Sequence, residues 1–109
     1  MFDIDQRIHW IEQVFKNDSG VKVKAYEGLT VDFCKKNNIP FIIRGLRSSV
    51  DFEFEKNIAE MNKKINKDIE TVFLLTSPDL SCITSTIIRE LIKEKADISR
   101  FVPEAVKFN

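Results

Sequence analysis

The stretch IPFIIRGLRSSVDFEFEKNIAEMNKKI, residues 39–65, decides the fold. It begins with an apolar run, and residues 39–44 read as a strand buried on both faces, as in a parallel sheet. After Gly45 the pattern changes. Phe54, Ile58, Met61 and Ile65 recur at steps of four and three, the spacing of one buried helix face. A second apolar run, ETVFLLT, predicts a strand over 70–75 closed by Ser77-Pro78. Strand, helix and strand in that order imply a parallel βαβ unit with a right-handed crossover.

Working outward, Ile4, Ile8, Ile11 and Phe15 mark one face of an N-terminal helix, with Asp3 and Gln6 as its capping box and NDSG at 17–20 as its end. VKVKAY alternates apolar residues with lysine and predicts an edge strand over 21–26. A short helix is expected over 30–37, with Thr30 as cap and Asn37-Asn38 as stop. TSTIIRELIKEK predicts a helix that buries Ile88, Leu91 and Ile92, and DISRFVPEAVKF a turn and a short helix with Pro103 in its first turn. The order α-β-α-β-α-β-α-α defines an α/β class with a doubly wound parallel sheet. In such sheets ligands sit beyond the carboxyl ends of the strands.

With 109 residues, a single domain is expected over 1–109. Its 17 basic and 17 acidic residues cancel, which argues against nucleic-acid binding but leaves room for two arginines aimed at one small phosphate. Cys34 and Cys82 form no CxxC pair, and with His9 as the single histidine no metal cluster is expected. Both cysteines read as free thiols of a reducing compartment. MFDIDQRIHW lacks the apolar core of a signal peptide, and no segment approaches a membrane span, so a cytoplasmic chain with no membrane partner is expected.

Three features carry candidate chemistry. Arg44 falls at the end of its expected strand, and Gly45 lets the backbone turn closely there. The planar forks of Arg44 and Arg47 suit phosphate oxygens, unless they merely pair with Asp51, Glu53 or Glu55. Glu55, Ala59 and Asn62 form an i, i+4, i+7 stripe that either faces a pocket or is a solvated flank. Ser81, Thr84, Ser85 and Thr86 crowd a helix start with no acid in its first turn, which suits either an anion or simple N-capping. His9 beside Trp10 reads as a surface or packing residue. No P-loop or GxGxxG accompanies them.

Together IIRGLRSSVDFEFE, Met61-Asn62, ETVFLLTSP at 70–78 and ITSTIIRE at 83–90 resemble the phosphopantetheine adenylyltransferases of coenzyme A synthesis, across essentially the whole chain. The RGLR…DFEFE block is the specific part; the hydroxyl-rich helix start is shared more widely among nucleotidyltransferases. The resemblance implies transfer of the adenylyl group of ATP to 4′-phosphopantetheine, giving dephospho-coenzyme A and pyrophosphate, with Mg²⁺ on the triphosphate. It implies that Gly45, Leu46, Arg47, Glu55, Leu80, Ser81, Cys82, Ile83, Thr84, Ser85 and Thr86 contact ATP. Leu29, Thr30, Arg44, Asn62 and Glu90 would contact phosphopantetheine. A homo-oligomer is also implied, commonly a hexamer.

Two departures bear on that expectation. The family's strand, TxGH turn and downstream lysine have no counterpart in residues 1–109, and His9 does not align with the TxGH histidine. No catalytic residue is therefore assigned, and this chain by itself is expected to be inert; a non-catalytic nucleotide or coenzyme A binding module, or a fragment without function, are the other readings. The fold implied is a Rossmann-like sheet lacking its N-terminal βαβ unit, with unpaired strand edges. Leu80 and Cys82 replace common aromatic residues, and Thr84 replaces a serine.

Overall fold

The computed structural model describes residues 1–108. The chain divides into two units, residues 27–82 and residues 1–26 with 83–108. In the first unit, helix α2 (Thr30–Lys36) leads to strand β1 (Phe41–Leu46), helix α3 (Ser49–Ile65), strand β2 (Glu70–Leu75) and a 3-10 turn at Pro78–Leu80. The second unit contains α1 (Ile4–Val14) and α4 (Ser85–Lys93). This is an α/β architecture, an incomplete Rossmann-like fold built on one parallel strand pair.

β1 and β2 pair in parallel, Phe41 opposite Glu70 and Leu46 opposite Leu75, so β1–α3–β2 is the expected βαβ unit. The pairing runs on through Leu46, whose carbonyl accepts from Thr76 at 2.9 Å. Arg44 and Gly45 therefore lie inside the ladder and not at a turn; the strand occupies 41–46 where 39–44 was expected. Opposed residues of a parallel pair share a face, so Ile42, Arg44, Leu46 and Phe73 point one way, and Phe41, Ile43, Val72 and Leu74 the other.

α3 covers the first of these faces. The Phe52 and Phe73 rings meet edge to face at 6.3 Å, and Glu55 reaches Arg44. A second cluster, Val31 and Cys34 of α2 with Ile69, Ile39 and Ile42, forms the small core of this unit. α2 ends in a hydrogen-bond pattern that fixes this packing. Asn38 adopts the left-handed conformation (φ 54°), its N–H meets the Lys35 carbonyl at 3.2 Å, and Ile39 N–H meets that of Cys34 at 2.8 Å. The Asn37-Asn38 stop is thus confirmed. Thr30 is not the cap: Leu29 occupies that position, without a side-chain bond.

The apolar stripe of α3 corrects the sequence reading. Phe54, Ile58, Met61 and Ile65 are 66%, 40%, 57% and 50% exposed. The flank that includes Glu55, Ala59 and Asn62 is the half-buried one. Helical spacing identified the stripe correctly but not whether a surface exists to cover it.

In the second unit, Asp3 caps α1 by accepting from Gln6 N–H at 2.8 Å, as the capping box predicts. Phe2, Trp10 and Phe108 form a three-ring cluster with centroids 4.9 to 5.2 Å apart. α4 half-buries Ile88, Leu91 and Ile92 as expected. It ends as α2 does, with Lys95 left-handed (φ 57°) and Ala96 N–H on the Leu91 carbonyl at 2.9 Å. Two expected elements do not form. Residues 21–26 are not a strand among the described residues; Val23 to Tyr26 border a cleft shared with Ile4, Ile8 and Ile11 of α1. Around Pro103 the chain makes turns, closed by Phe101 N–H on Ile98 and Val106 N–H on Pro103, and no helix. So short a segment is too costly to nucleate as a helix by itself.

Candidate functional site

Arg44, Gly45, Leu46, Arg47 and Glu55 lie where β1 passes into the start of α3, while Asn62 lies near the other end of that helix. Ser48 is its N-cap, with Oγ accepting from Asp51 N–H at 3.3 Å. Asp51 answers in the other direction. Its Oδ2 accepts from the Arg47 backbone N–H at 3.2 Å and from Arg47 Nε at 3.0 Å. This S-x-x-D arrangement departs from a full capping box in that Asp51 takes the N–H of Arg47, one residue before the cap, and the capping hydroxyl of Ser48 was missed in the sequence. It fixes the turn between β1 and α3 and ties the Arg47 side chain to that turn.

Arg44 is held differently. Its Nε donates to Glu55 Oε2 at 2.9 Å and its Nη2 to Glu55 Oε1 at 2.6 Å, a bidentate fork. The Glu55 side chain is 12% exposed and that of Arg44 is 52% exposed. The hydrogen bond from Arg44 holds the Glu55 carboxyl below its ordinary range, against a smaller opposing effect of burial. The bond from Arg47 does the same for Asp51. The two arginines therefore pair with Glu55 and Asp51, and the stripe of Glu55, Ala59 and Asn62 lies toward the strands. At the far end of α3, Lys63 pairs with Glu70 at the start of β2.

Gly45 and Leu46 sit beside these arginines in β1, with Leu46 buried and nothing near enough to obstruct a side chain at Gly45. Thr30 is half-buried on the first turn of α2, and Leu29 before it is exposed. Leu80 and Cys82 are exposed beyond β2; the Ser81 hydroxyl donates to the Pro78 carbonyl at 2.8 Å.

The remaining candidates belong to the other unit. Thr84 is the N-cap of α4, its Oγ1 accepting from Ile87 N–H at 3.1 Å. One hydroxyl thus does the capping. Arg89 donates to Thr86 Oγ1 at 3.3 Å, Ser85 and Thr86 are exposed, and the first turn carries no acid. Ile83 precedes the cap, half-buried. Glu90 pairs with Lys93 at 2.8 Å, and that bond lowers its proton affinity. The same unit has a cleft of about 570 Å³ lined by His9, Lys16, Glu104 and Lys107 among others; none of the expected site residues lines it. Cys34 and Cys82 are free thiols. Among the described residues no group of three His, Cys, Asp or Glu side chains could hold a metal, and no helix is long and apolar enough to cross a membrane.

The parallel βαβ unit with Arg44 in β1 and Arg47 just beyond it, and the acid-free start of α4, were the grounds for expecting a nucleotidyltransferase-type α/β chain, and comparison with known proteins agrees. The cytidylyltransferase-like family model matches residues 1–91. The phosphopantetheine adenylyltransferase of Flavobacterium psychrophilum is 50% identical over 107 residues, which is 98% of this chain and 70% of that protein. That of Bacteroides thetaiotaomicron is 43% identical, covering 99% of this chain and 71% of the relative, and that of Staphylococcus haemolyticus is 47% identical, covering 97% and 66%. The chain belongs to the cytidylyltransferase-like family, on its phosphopantetheine adenylyltransferase branch.

Proposed function

We propose that the chain serves adenylyl transfer from ATP to 4′-phosphopantetheine, yielding dephospho-coenzyme A and pyrophosphate. The observation that carries this reading is the Arg44 fork: a guanidinium on a strand, half exposed, already engaged in two parallel bonds by an anion's two oxygens. Arg44 would take the phosphate of phosphopantetheine, with Leu29, Thr30, Asn62 and Glu90 contributing to the same substrate. Arg47, Gly45, Leu46, Glu55 and residues 80–86 would take ATP.

The attacking oxygen comes from the substrate phosphate, so no protein nucleophile is needed. What the protein must supply is alignment and positive charge, because two polyanions have to approach within bonding distance. Arginines and the acid-free first turn of α4 suit that task. Mg²⁺ would arrive with the triphosphate. The exposed apolar stripe of α3 favours work as a homo-oligomer.

No TxGH motif occurs in residues 1–109, so these residues alone are expected to bind substrates without turning them over. A binding module for nucleotides or coenzyme A is the second reading, favoured by the same observation. Titration calorimetry of this chain with ATP, 4′-phosphopantetheine and coenzyme A, beside a pyrophosphate-release assay, tests both. Binding of ATP and phosphopantetheine without turnover is the expected result. Binding of neither would remove the proposal, and turnover would remove the expectation of inertness.

A further inference from the structure

The Arg44–Glu55 pair uses the Nε and Nη2 edge of the guanidinium, with one carboxylate oxygen on each nitrogen, at 2.9 and 2.6 Å. A phosphate group presents two oxygens to a guanidinium in the same side-by-side manner. The two anions would therefore use the same edge of the same side chain. Glu55 is the more enclosed partner, 12% exposed against 52% for Arg44, so solvent reaches the cation without moving the carboxylate.

Arg47 provides the contrast. Asp51 holds it by contacts of 3.0 and 3.5 Å and also accepts from its backbone N–H at 3.2 Å, so this carboxylate belongs to the cap of α3. The Glu55 carboxylate is held instead by the Arg44 side chain, through Nε and Nη2. We propose that Glu55 is an internal competitor for the phosphate group that Arg44 takes, occupying the guanidinium edge until a phosphomonoester displaces it. This rests on the reading of Arg44 as a phosphate ligand. It gives Glu55 a role toward Arg44 that is separate from any contact with ATP. Phosphate affinity is set by an exchange of anions and is weaker than a bare arginine would give.

The opposite role is a positioning one, in which Glu55 holds the guanidinium ready for substrate. The two roles predict opposite signs when the charge is removed. The experiment follows the Arg44 Nε–Hε resonance by NMR during titration of the ¹⁵N-labelled chain with inorganic phosphate. Glu55→Gln is expected to tighten phosphate binding about fivefold, the effect of removing one unit charge some 4 Å away in a largely aqueous setting. Glu55→Asp, too short to keep both bonds, is expected to fall between. Glu53→Gln makes the same charge change on the same helix and is expected to alter affinity less than about twofold. Unchanged or weaker binding in Glu55→Gln, with Arg44→Gln still abolishing it, would overturn the competitor role and leave the proposed function standing. Should Arg44→Gln leave phosphate binding intact, or should no variant bind phosphate, both would fall.

Discussion

Helix α3 carries two stripes of side chains that meet different surroundings. Glu55, Ala59 and Asn62 lie half-buried toward the strands, whereas Phe54 and Met61 of the apolar stripe are 66% and 57% exposed. The strand pair repeats the contrast. One face meets α3 through Phe73 and Arg44, while Phe41, Ile43, Val72 and Leu74 on the other are 58%, 66%, 42% and 57% exposed. Ion-pair strength does not explain this. A half-exposed pair contributes about 0–1 kcal/mol, while fully burying one Phe, Ile or Met side chain is worth about 1.5–3 kcal/mol. The apolar stripe would win that contest if a surface stood opposite it. Burial is non-directional and needs such a surface, so the side of α3 turned to the strands is set by short connections and specific partners on that side.

The comparison can be broken most directly at its two extremes. Ile69 is 3% exposed in the covered cluster, so Ile69→Ala is expected to cost about 2–5 kcal/mol. Ile43, 66% exposed on the open face, is expected to tolerate Ile43→Thr within about 0.5 kcal/mol, since β-branching is kept. Urea unfolding of both variants provides the check. Equal losses would mean that the open face is covered in solution.

A smaller effect is expected along α3. Phe54→Gln with Met61→Gln should leave the unfolding midpoint of the isolated chain within about 0.5 kcal/mol per site. If copies associate through this stripe, the same double variant should weaken that association about tenfold or more, because each side chain withholds buried area. Sedimentation velocity over a concentration series reads this. A concentration-dependent sedimentation coefficient in the parent chain, retained in the variant, would move the contact elsewhere.

The same contrast marks how far the sequence could be read. The βαβ unit was legible because its strands are apolar runs of strand length and its helix has a clear 3.6 period. The Asp3 cap and the Asn37-Asn38 stop were legible because their chemistry is local. Residues 21–26 failed for a non-local reason: alternation marks a chain that can be a strand, but a ladder requires a neighbour. The α3 stripe failed likewise, since periodicity gives the direction of a face and not what meets it. At the candidate site, the pairing of Arg44 and Arg47 with Glu55 and Asp51 was the plain alternative to ligand binding, and the structure has that pairing. Ser48 was open to detection, because S-x-x-D before an apolar run is a capping signal.

The finest test uses pH and probes only the covered flank of α3. The hydrogen bond from Arg44 lowers the Glu55 carboxyl from its ordinary 4.5 in the folded chain. Between the unfolded and folded values the unfolded chain binds more protons, so stability falls as pH drops. The contribution of the pair is thus complete above about pH 5 and disappears as acid takes Glu55 through its lowered folded value. Glu55→Gln is expected to lose about 0–1 kcal/mol at pH 7, a figure limited by the exposure of Arg44. Its deficit should shrink as pH falls through the ordinary carboxylate range and vanish below the lowered folded value, where the parent carboxyl is also uncharged. Urea midpoints for parent and variant between pH 7 and pH 3 measure this convergence. Asp51 is lowered by Arg47 and titrates in both proteins, and its weak repulsion of Glu55 leaves only a small part of that titration in the difference. A constant gap at every pH would show that Glu55 supports α3 by packing alone, and the covered flank would then owe nothing to the ion pair.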